Sequence, residues 1–219
     1  ITQAGGKLKK ELSIEFEKIL NKKGIKFFRM YGSTEATSRM AYMPARLNKK
    51  YPESIGFAIP GGKLWLQDKK GKKITSTNTV GEIVYKGSNV CLGYANSKKD
   101  LKKGDENKGI LLTGDLGIID HNKLIFIIGR KKRFLKVFGL RVNLDELETI
   151  LNNLGYKCIC SGADNKIKIY FLKKFKRDSS DVIEKITNIT KINKSVFKIE
   201  FIDKFPRNQY GKILYNKLN

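Results

Sequence analysis

The 219-residue chain is 40% hydrophobic and 30% charged, apolar enough to bury a core and unlike a disordered tail. Its formal charge of +24 rests on 37 Lys against 8 Arg, scattered as pairs such as Lys22-Lys23, Lys69-Lys70 and Lys102-Lys103. That is the pattern of a solvated surface rather than of a nucleic-acid face, which gathers Arg and aromatics on one element. No run of about 18 apolar residues spans a membrane, and no signal peptide is read at the start. Three Cys, an odd number, point to a reducing, cytoplasmic setting without a disulfide framework.

In chain order, Ile1 to Ala4 reads as a strand end falling into the Gly5-Gly6 turn. Leu8, Leu12, Phe16, Ile19 and Leu20 then predict a helix with one apolar face, stopping near Gly24. Ile25 to Met30 is a predicted buried strand that delivers Tyr31-Gly32-Ser33-Thr34-Glu35-Ala36-Thr37 at its carboxyl end, where open α/β sheets bind ligands. A flat aromatic, a Gly that admits backbone, a hydroxyl and a carboxylate lie close together here; they suit a base, a phosphate and Mg²⁺. On these residues alone, a polar strand-to-helix turn capped by Ser33 or Thr34 accounts for the stretch equally well.

From Ser54 the pattern becomes all-β. Gly56 to Gly62 is expected as a loop, and Lys63 to Gln67, Gly81 to Lys86, Ile110 to Leu112 with Leu116 to Ile119, and Lys123 to Ile128 as short strands. The spacing predicts a small curved sheet or open barrel, with Trp65 in a packing role. Thr113-Gly114-Asp115 lies between two of these strands; Gly-Asp is ordinary turn chemistry, and an ionised Asp also accepts ribose hydroxyls. His121 is a turn residue without a second His, so a metal or triad role is disfavoured. Cys91 is not read as a nucleophile.

Gly129 to Val142 looks like a joint between two domains. It is not Gly-, Ser- or Pro-rich as a simple linker would be, but interleaves cations with Phe134, Leu135, Val137 and Phe138. Asn143 then caps a helix with Glu146 three residues on, and Leu144, Leu147, Leu151 and Leu154 form its buried face. Strands are predicted at Lys157 to Ser161, Lys166 to Leu172 and Phe197 to Ile202, with a helix at Ser179 to Ile192. Cys158 and Cys160 alternate onto one strand face as small apolar residues. Phe205 to Ile213, which contains Pro206, Gly211 and Lys212, is expected as a mobile loop.

Five motifs in this order, the Gly5-Gly6 turn, YGSTEAT, TGD, GRKKRFLKVFGLRV running into NLDELE, and PRNQYGK, closely resemble those of the AMP-forming carboxylate ligases. This superfamily comprises acyl-CoA synthetases, adenylation domains and luciferases, with the hinge pattern GRxxDxIKxxGxxIxPxEIE. The resemblance implies that Tyr31 stacks on adenine and that Gly32, Gly5 and Gly6 border it. By the same token Thr34 contacts the α-phosphate of ATP and Glu35 ligates Mg²⁺. Asp115 takes the ribose and Arg130 shares ribose or phosphates with it. Lys212 enters the site for adenylation. Lys136 and Gly139 form the face that serves the second step, in which CoA or a carrier protein's phosphopantetheine thiol accepts the acyl group of a small carboxylic acid.

Two departures accompany the match. The hinge position, usually Asp, is Arg133, and the superfamily's phosphate loop with most of its large domain should precede Ile1. The expected fold is therefore mixed α/β and α+β. The end of a large α/β domain (1–53) and a small curved β-sheet or barrel (54–129) together make 1–129, followed by a hinge and small mobile α+β lid (130–219). Two other classes stay open: a non-catalytic or split half that needs an amino-terminal partner, and a basic nucleic-acid-binding module.

Overall fold

The structure is a computed structural model that describes every residue except Lys7, Lys176, Arg177, Tyr210 and Asn219. By internal contacts the chain divides into two units, Ile1–Lys131 and Lys132–Asn219. Among the described residues no helix is long and apolar enough to cross a membrane.

The first unit is built on β1 (Thr2–Gln3), α1 (Lys10–Lys22), β2 (Phe28–Tyr31), β3 (Ala41–Met43), β4 (Ser54–Ala58), β5 (Lys63–Gln67), β6 (Lys73–Ile74), β7 (Gly81–Lys86), β8 (Ile110–Ile119) and β9 (Ile125–Arg130). They form one sheet in the order β1-β2-β3-β4-β9-β8-β7-β5-β6. Only β1 and β2 pair in parallel, joined across α1 as a β-α-β unit, so both carboxyl ends leave the same edge of the sheet. Leu66, Ile83 and Ile125 form one buried cluster, and Ala36, Met40, Tyr85 and Val90 another.

Among the differences from the sequence reading, three shape the first unit. Gly56 to Ala58, expected in a loop, belongs to β4, which bridges β3 and β9 and makes residues on both sides of 53 one continuous sheet. Gly56 permits this at φ +77, because a Cβ there would stand 2.0 Å from the Tyr42 carbonyl oxygen. The segments Ile110 to Leu112 and Leu116 to Ile119 are one strand, with Thr113-Gly114-Asp115 as a bulge in it rather than a turn: the pairing with β7 passes from Val84 with Leu112 to Glu82 with Leu116. Finally, the apolar stripe of α1 is largely open, with Leu12, Phe16 and Ile19 at 42%, 46% and 46% exposure, while Ser13 and Leu20 are buried. Periodicity predicts which side chains share a stripe; what covers the stripe is set by packing outside the helix.

In the second unit β10 (Phe134–Val137) and β11 (Leu140–Asn143) form a hairpin, followed by α2 (Leu144–Asn153), β12 (Cys158–Ala163), β13 (Lys166–Leu172), α3 (Ser179–Thr190) and β14 (Phe197–Ile202). The three-stranded sheet runs β12-β13-β14, with an antiparallel first pair and a parallel second pair connected through α3. The Asn143 side chain caps α2 by accepting from the Asp145 amide at 3.0 Å, and Asp178 caps α3 by accepting from Ser180 at 2.8 Å. Leu144, Leu147 and Leu151 are buried as expected, whereas Leu154, past the last helical turn, is 42% exposed. Cys158 and Cys160 pack in the same core as Val182 and Ile186. The architecture is the expected mixture of a parallel α/β entry, a curved β-sheet and a small α+β unit.

Candidate active site

β2 ends at Tyr31, and the chain makes a closed loop before re-entering the sheet as β3. The Met40 amide donates to the Tyr31 carbonyl at 2.8 Å and the Ser38 amide to the Ser33 carbonyl at 2.8 Å. Between them Thr34–Ala36 forms one tight 3₁₀ turn, and Thr37 and Ser38 take left-handed backbone angles, φ 48 and 62. This return stroke passes directly over Gly32: a Cβ there would meet the Ser38 carbonyl oxygen at 2.1 Å. Gly32 is therefore required by backbone crossing backbone. Thr34 is exposed and Glu35 half-buried on the loop. At the end of the neighbouring parallel strand, Gly5 holds φ +90, and the Gln3 side-chain amide donates to the Gly6 carbonyl at 2.8 Å.

The Tyr31 hydroxyl donates to Asp115 Oδ2 at 2.6 Å, although β2 and β8 stand four places apart in the sheet. With strands about 4.8 Å apart, a flat sheet would separate them by about 19 Å. The hydrogen bond thus requires the sheet to curl on itself, as the open-barrel expectation has it. The bulge aims Asp115 at this point. The Thr113 hydroxyl donates to the Ile83 carbonyl at 2.8 Å and accepts from the Asp115 amide at 3.1 Å, while Gly114 takes φ +70. Across the β8–β9 ladder, Arg130 Nε pairs with Asp115 Oδ1 at 2.7 Å.

Burial pushes the Asp115 carboxyl above its ordinary value, against the Tyr31 hydrogen bond and the Arg130 charge, which hold it down. Burial, then the charge of Asp115, pushes the Tyr31 phenol far up, so it stays a donor. A carboxylate offers about four acceptor sites. Tyr31 and Arg130 use one on each oxygen, which leaves acceptor capacity for a pair of vicinal hydroxyls.

Glu35 accepts a hydrogen bond from the Tyr94 hydroxyl, and that bond is the main reason its carboxyl lies below the usual range. A carboxylate kept ionised on an open loop is a suitable oxygen ligand for Mg²⁺, which commonly takes one or two protein carboxylates and completes its shell with phosphates and water. The same loop is braced from β7 onward: the Asn89 side-chain amide donates to the Ala36 carbonyl at 2.7 Å and the Arg39 carbonyl at 3.0 Å, and the buried Tyr85 hydroxyl donates to Asn89 Oδ1 at 2.7 Å. Sequence reasoning passed over Tyr85, Asn89 and Tyr94. Tyr94 lies 59 residues from its partner, and only its place in the Cys91-Leu92-Gly93-Tyr94 loop hints at a role.

In the second unit the joint is a hairpin, turned by Phe138 and Gly139 at φ 46 and 86. Two positive angles in succession define the tight turn that suits strand twist. Its tip is stitched to the β12–β13 turn: the Lys136 amide donates to Asp164 Oδ1 at 2.7 Å and the Phe138 amide to Asn165 Oδ1 at 2.7 Å. Lys136, Phe138 and Gly139 are exposed there. Arg133, by contrast, is buried, with ion pairs to Asp145 and Glu148 at 2.6 and 2.5 Å. Lys212 is exposed on a small loop closed by pairing of Arg207 with Ile213; Tyr210, within the PRNQYGK motif, lies outside the described residues. His121 sits in an exposed turn, and among the described residues no three His, Cys, Asp or Glu side chains gather as a metal cluster.

Residues 1–95 match a family model described as AMP-binding enzyme. The chain is 32% identical over 214 residues to an acyl-CoA synthetase of Alternaria alternata, covering 87% of this chain and 35% of that relative. It is 33% identical over 151 residues to a luciferin 4-monooxygenase of Luciola mingrelica, covering 69% of this chain and 27% of the relative. The chain thus spans about a third of the length of such relatives. It shares the fold of an O-succinylbenzoate coenzyme A synthetase from Bacillus subtilis solved in complex with AMP, at a TM-score of 0.73 and 22% identity over 100% of this chain and 45% of that one. The motifs, the mixed fold and these likenesses agree in supporting the AMP-forming carboxylate ligase superfamily, with the family model itself matching residues 1–95.

Proposed function

We propose that this chain is the carboxyl-terminal part of an acid–thiol ligase that works through an acyl adenylate. The observation that carries the reading is the Tyr31–Asp115–Arg130 constellation at the mouth of a curled sheet, beside a loop that presents Thr34 and Glu35. In the first step a carboxylate oxygen attacks the α-phosphorus of ATP. The bond from that phosphorus to the oxygen bridging to the β-phosphate breaks, and pyrophosphate leaves. Asp115 accepts from the ribose, Arg130 fixes that carboxylate, and Tyr31, with Gly32, Gly5 and Gly6 around it, borders the base. The Thr34 hydroxyl donates to the α-phosphate. Glu35 would hold Mg²⁺, which supplies charge neutralisation for the departing phosphates.

Lys212 serves this first step as a cation for the charge that builds on phosphate oxygens. In the second step the thiol of CoA, or of a carrier protein's phosphopantetheine, attacks the acyl carbonyl, loses its proton and expels AMP. The exposed Lys136–Gly139 tip is the face assigned to that thiol's arm. The phosphate loop is supplied by sequence outside this chain. Three free cysteines suit a reducing cytoplasm.

The test is acid-dependent ATP–pyrophosphate exchange by the complete native polypeptide, compared with its Lys212→Ala variant. Loss of one preplaced donor costs about 10² to 10³ in rate, so exchange should collapse, while thioester formation from supplied acyl adenylate stays near wild type. Equal loss of both half-reactions would overturn the division of roles. A second reading, a half that is completed by a separate amino-terminal chain, draws on the open stripe of Leu12, Phe16 and Ile19. The intact mass of the protein made by the cell separates the two: a mass near 24.9 kDa supports the second and refutes the first.

A further inference from the structure

We propose that Arg133 is a positioning residue for Lys212: by clamping Tyr215 it fixes the short loop on which Lys212 is carried. The inference rests on the reading of Lys212 as the cation of the first step. At position 133 the hinge motif carries Arg where the family's usual residue is Asp.

The Arg133 side chain is 9% exposed, and each guanidinium nitrogen and one guanidinium face are engaged inside the second unit. Nε pairs with Asp145 Oδ1 at 2.6 Å and Nη2 with Glu148 Oε1 at 2.5 Å, while Nη1 donates to the Cys160 carbonyl at 2.6 Å. The guanidinium carbon stands 3.8 Å from the centre of the Tyr215 ring. Tyr215 is tied a second time, because its hydroxyl donates to Glu148 Oε2 at 3.1 Å. Glu148 Oε1 also accepts from the Cys160 amide at 2.7 Å. One planar cation thereby joins the start of α2, the middle of β12 and the terminal turn Tyr215–Lys217. A lysine could not do this, since it has neither the fork nor the flat face.

From Tyr215 the chain runs back into the Lys212 loop. The Leu214 amide donates to the Pro206 carbonyl at 2.9 Å, and Asn208 and Lys212 exchange two bonds, amide to carbonyl at 3.0 Å and amide to Asn208 Oδ1 at 2.9 Å. Phe205 and Ile213 pack with Tyr215 against Ile159 and Tyr170. Lys212 is exposed between these anchors, three positions from the stacked ring. A loop this short transmits the position of its base to its tip, so loosening Tyr215 should let Lys212 wander from the place where phosphate charge develops.

The test uses the complete native polypeptide and the variants Tyr215→Leu, Tyr215→Phe and Arg133→Lys. These leave a cation beside Glu148, so none strands a buried carboxylate. Amide exchange across residues 206–214 should rise in Tyr215→Leu by about tenfold or more, the scale of one desolvated cation–aromatic contact. The adenylation kcat should fall by about tenfold, with KM for ATP within about twofold and thioester formation from supplied acyl adenylate unchanged. Arg133→Lys should behave like Tyr215→Leu, and Tyr215→Phe, which keeps the ring, should fall between. Wild-type exchange in Tyr215→Leu, faster exchange with wild-type adenylation, or equal slowing of both half-reactions would each overturn the proposal. Wild-type adenylation in Lys212→Ala would overturn the catalytic reading alone, and the amide exchange would still decide whether the clamp exists.

Discussion

Gly32→Ala isolates the backbone crossing on which the loop between Tyr31 and Met40 depends. An ideal Cβ at Gly32 would stand 2.1 Å from the Ser38 carbonyl oxygen, 2.3 Å from its carbon and 2.7 Å from the Arg39 nitrogen. All three are backbone atoms, so no side chain can rotate away, and the return stroke must lift by more than about 1 Å to reach ordinary contact. It is held down by the Ser38–Ser33 and Met40–Tyr31 hydrogen bonds, each 2.8 Å, and by Asn89 on Ala36 and Arg39. Losing two such bonds costs about 1 kcal/mol each, and the residual overpacking about 1–3 kcal/mol. A loss of about 3–5 kcal/mol is therefore expected, and, on the proposed function, weaker AMP binding because Tyr31 heads the loop. Gly6→Ala is the control: nothing lies within 4 Å of its Cβ position and its φ is not positive, so a change within about 0.5 kcal/mol is expected. Urea denaturation at constant m-value reads both, and AMP calorimetry reads the site. If Gly32→Ala and Gly6→Ala have the same midpoint, the crossing does not constrain the loop and the reasoning fails.

Two further expectations concern the same site. Burial raises the Asp115 carboxyl, opposed by Tyr31 and Arg130 and assisted by the nearby charge of Glu82. A raised folded-state value favours the protonated form of the fold, so this group's contribution to stability is present in acid and lost as pH rises through that value, while the ribose contact proposed for Asp115 needs the ion and has the opposite trend. AMP affinity should fall on acidification at a higher pH than an ordinary Asp would dictate, and Asp115→Asn should bind weakly at every pH; an Asn variant with the wild-type profile would exclude Asp115 as the titrating group. Asn89→Ala removes two donors to the loop and strips the buried Tyr85 hydroxyl of its acceptor. That should cost about 2–3 kcal/mol in denaturation, and a change below about 0.5 kcal/mol would mean the loop does not lean on Asn89.

How far the sequence could be read depended on whether the signal was local. Lys63–Gln67, Gly81–Lys86, Lys166–Leu172 and Phe197–Ile202 appear with the boundaries that alternation and turn residues predict, because both signals lie inside the strand. The β10–β11 hairpin was not foreseen. Its turn places Phe138 at φ 46, a conformation for which an aromatic gives no cue, and only the following Gly139 is a typical choice. The Asp115 bulge reads as a turn because a bulge and a turn recruit the same Gly-Asp chemistry; the partner strand that distinguishes them lies about thirty residues earlier. The bracing of Glu35 by Tyr94 and of its loop by Asn89 is long-range and polar, so no periodicity announces it.

Arg133 shows how a departure from a pattern becomes interpretable once its neighbours are known. An Asp at this position would sit among Asp145 and Glu148 with no cation between them, whereas Arg133 neutralises both. Burial works against the guanidinium charge, but Glu148 and Asp145 outweigh it and hold the group above its ordinary value. Removing one partner from such a buried cluster costs about 3–5 kcal/mol, so Arg133→Asp should be markedly less stable than Arg133→Lys. The same bonds bear on the hinge role that the motif implies. Rotation about the N–Cα bond of Arg133 leaves its side chain with the second unit, whereas rotation about the Cα–C bond would tear it from Asp145, Glu148, Cys160 and Tyr215. Any turning of the two units through this joint must therefore be absorbed at that N–Cα bond or on its amino-terminal side, among Gly129, Arg130, Lys131 and Lys132.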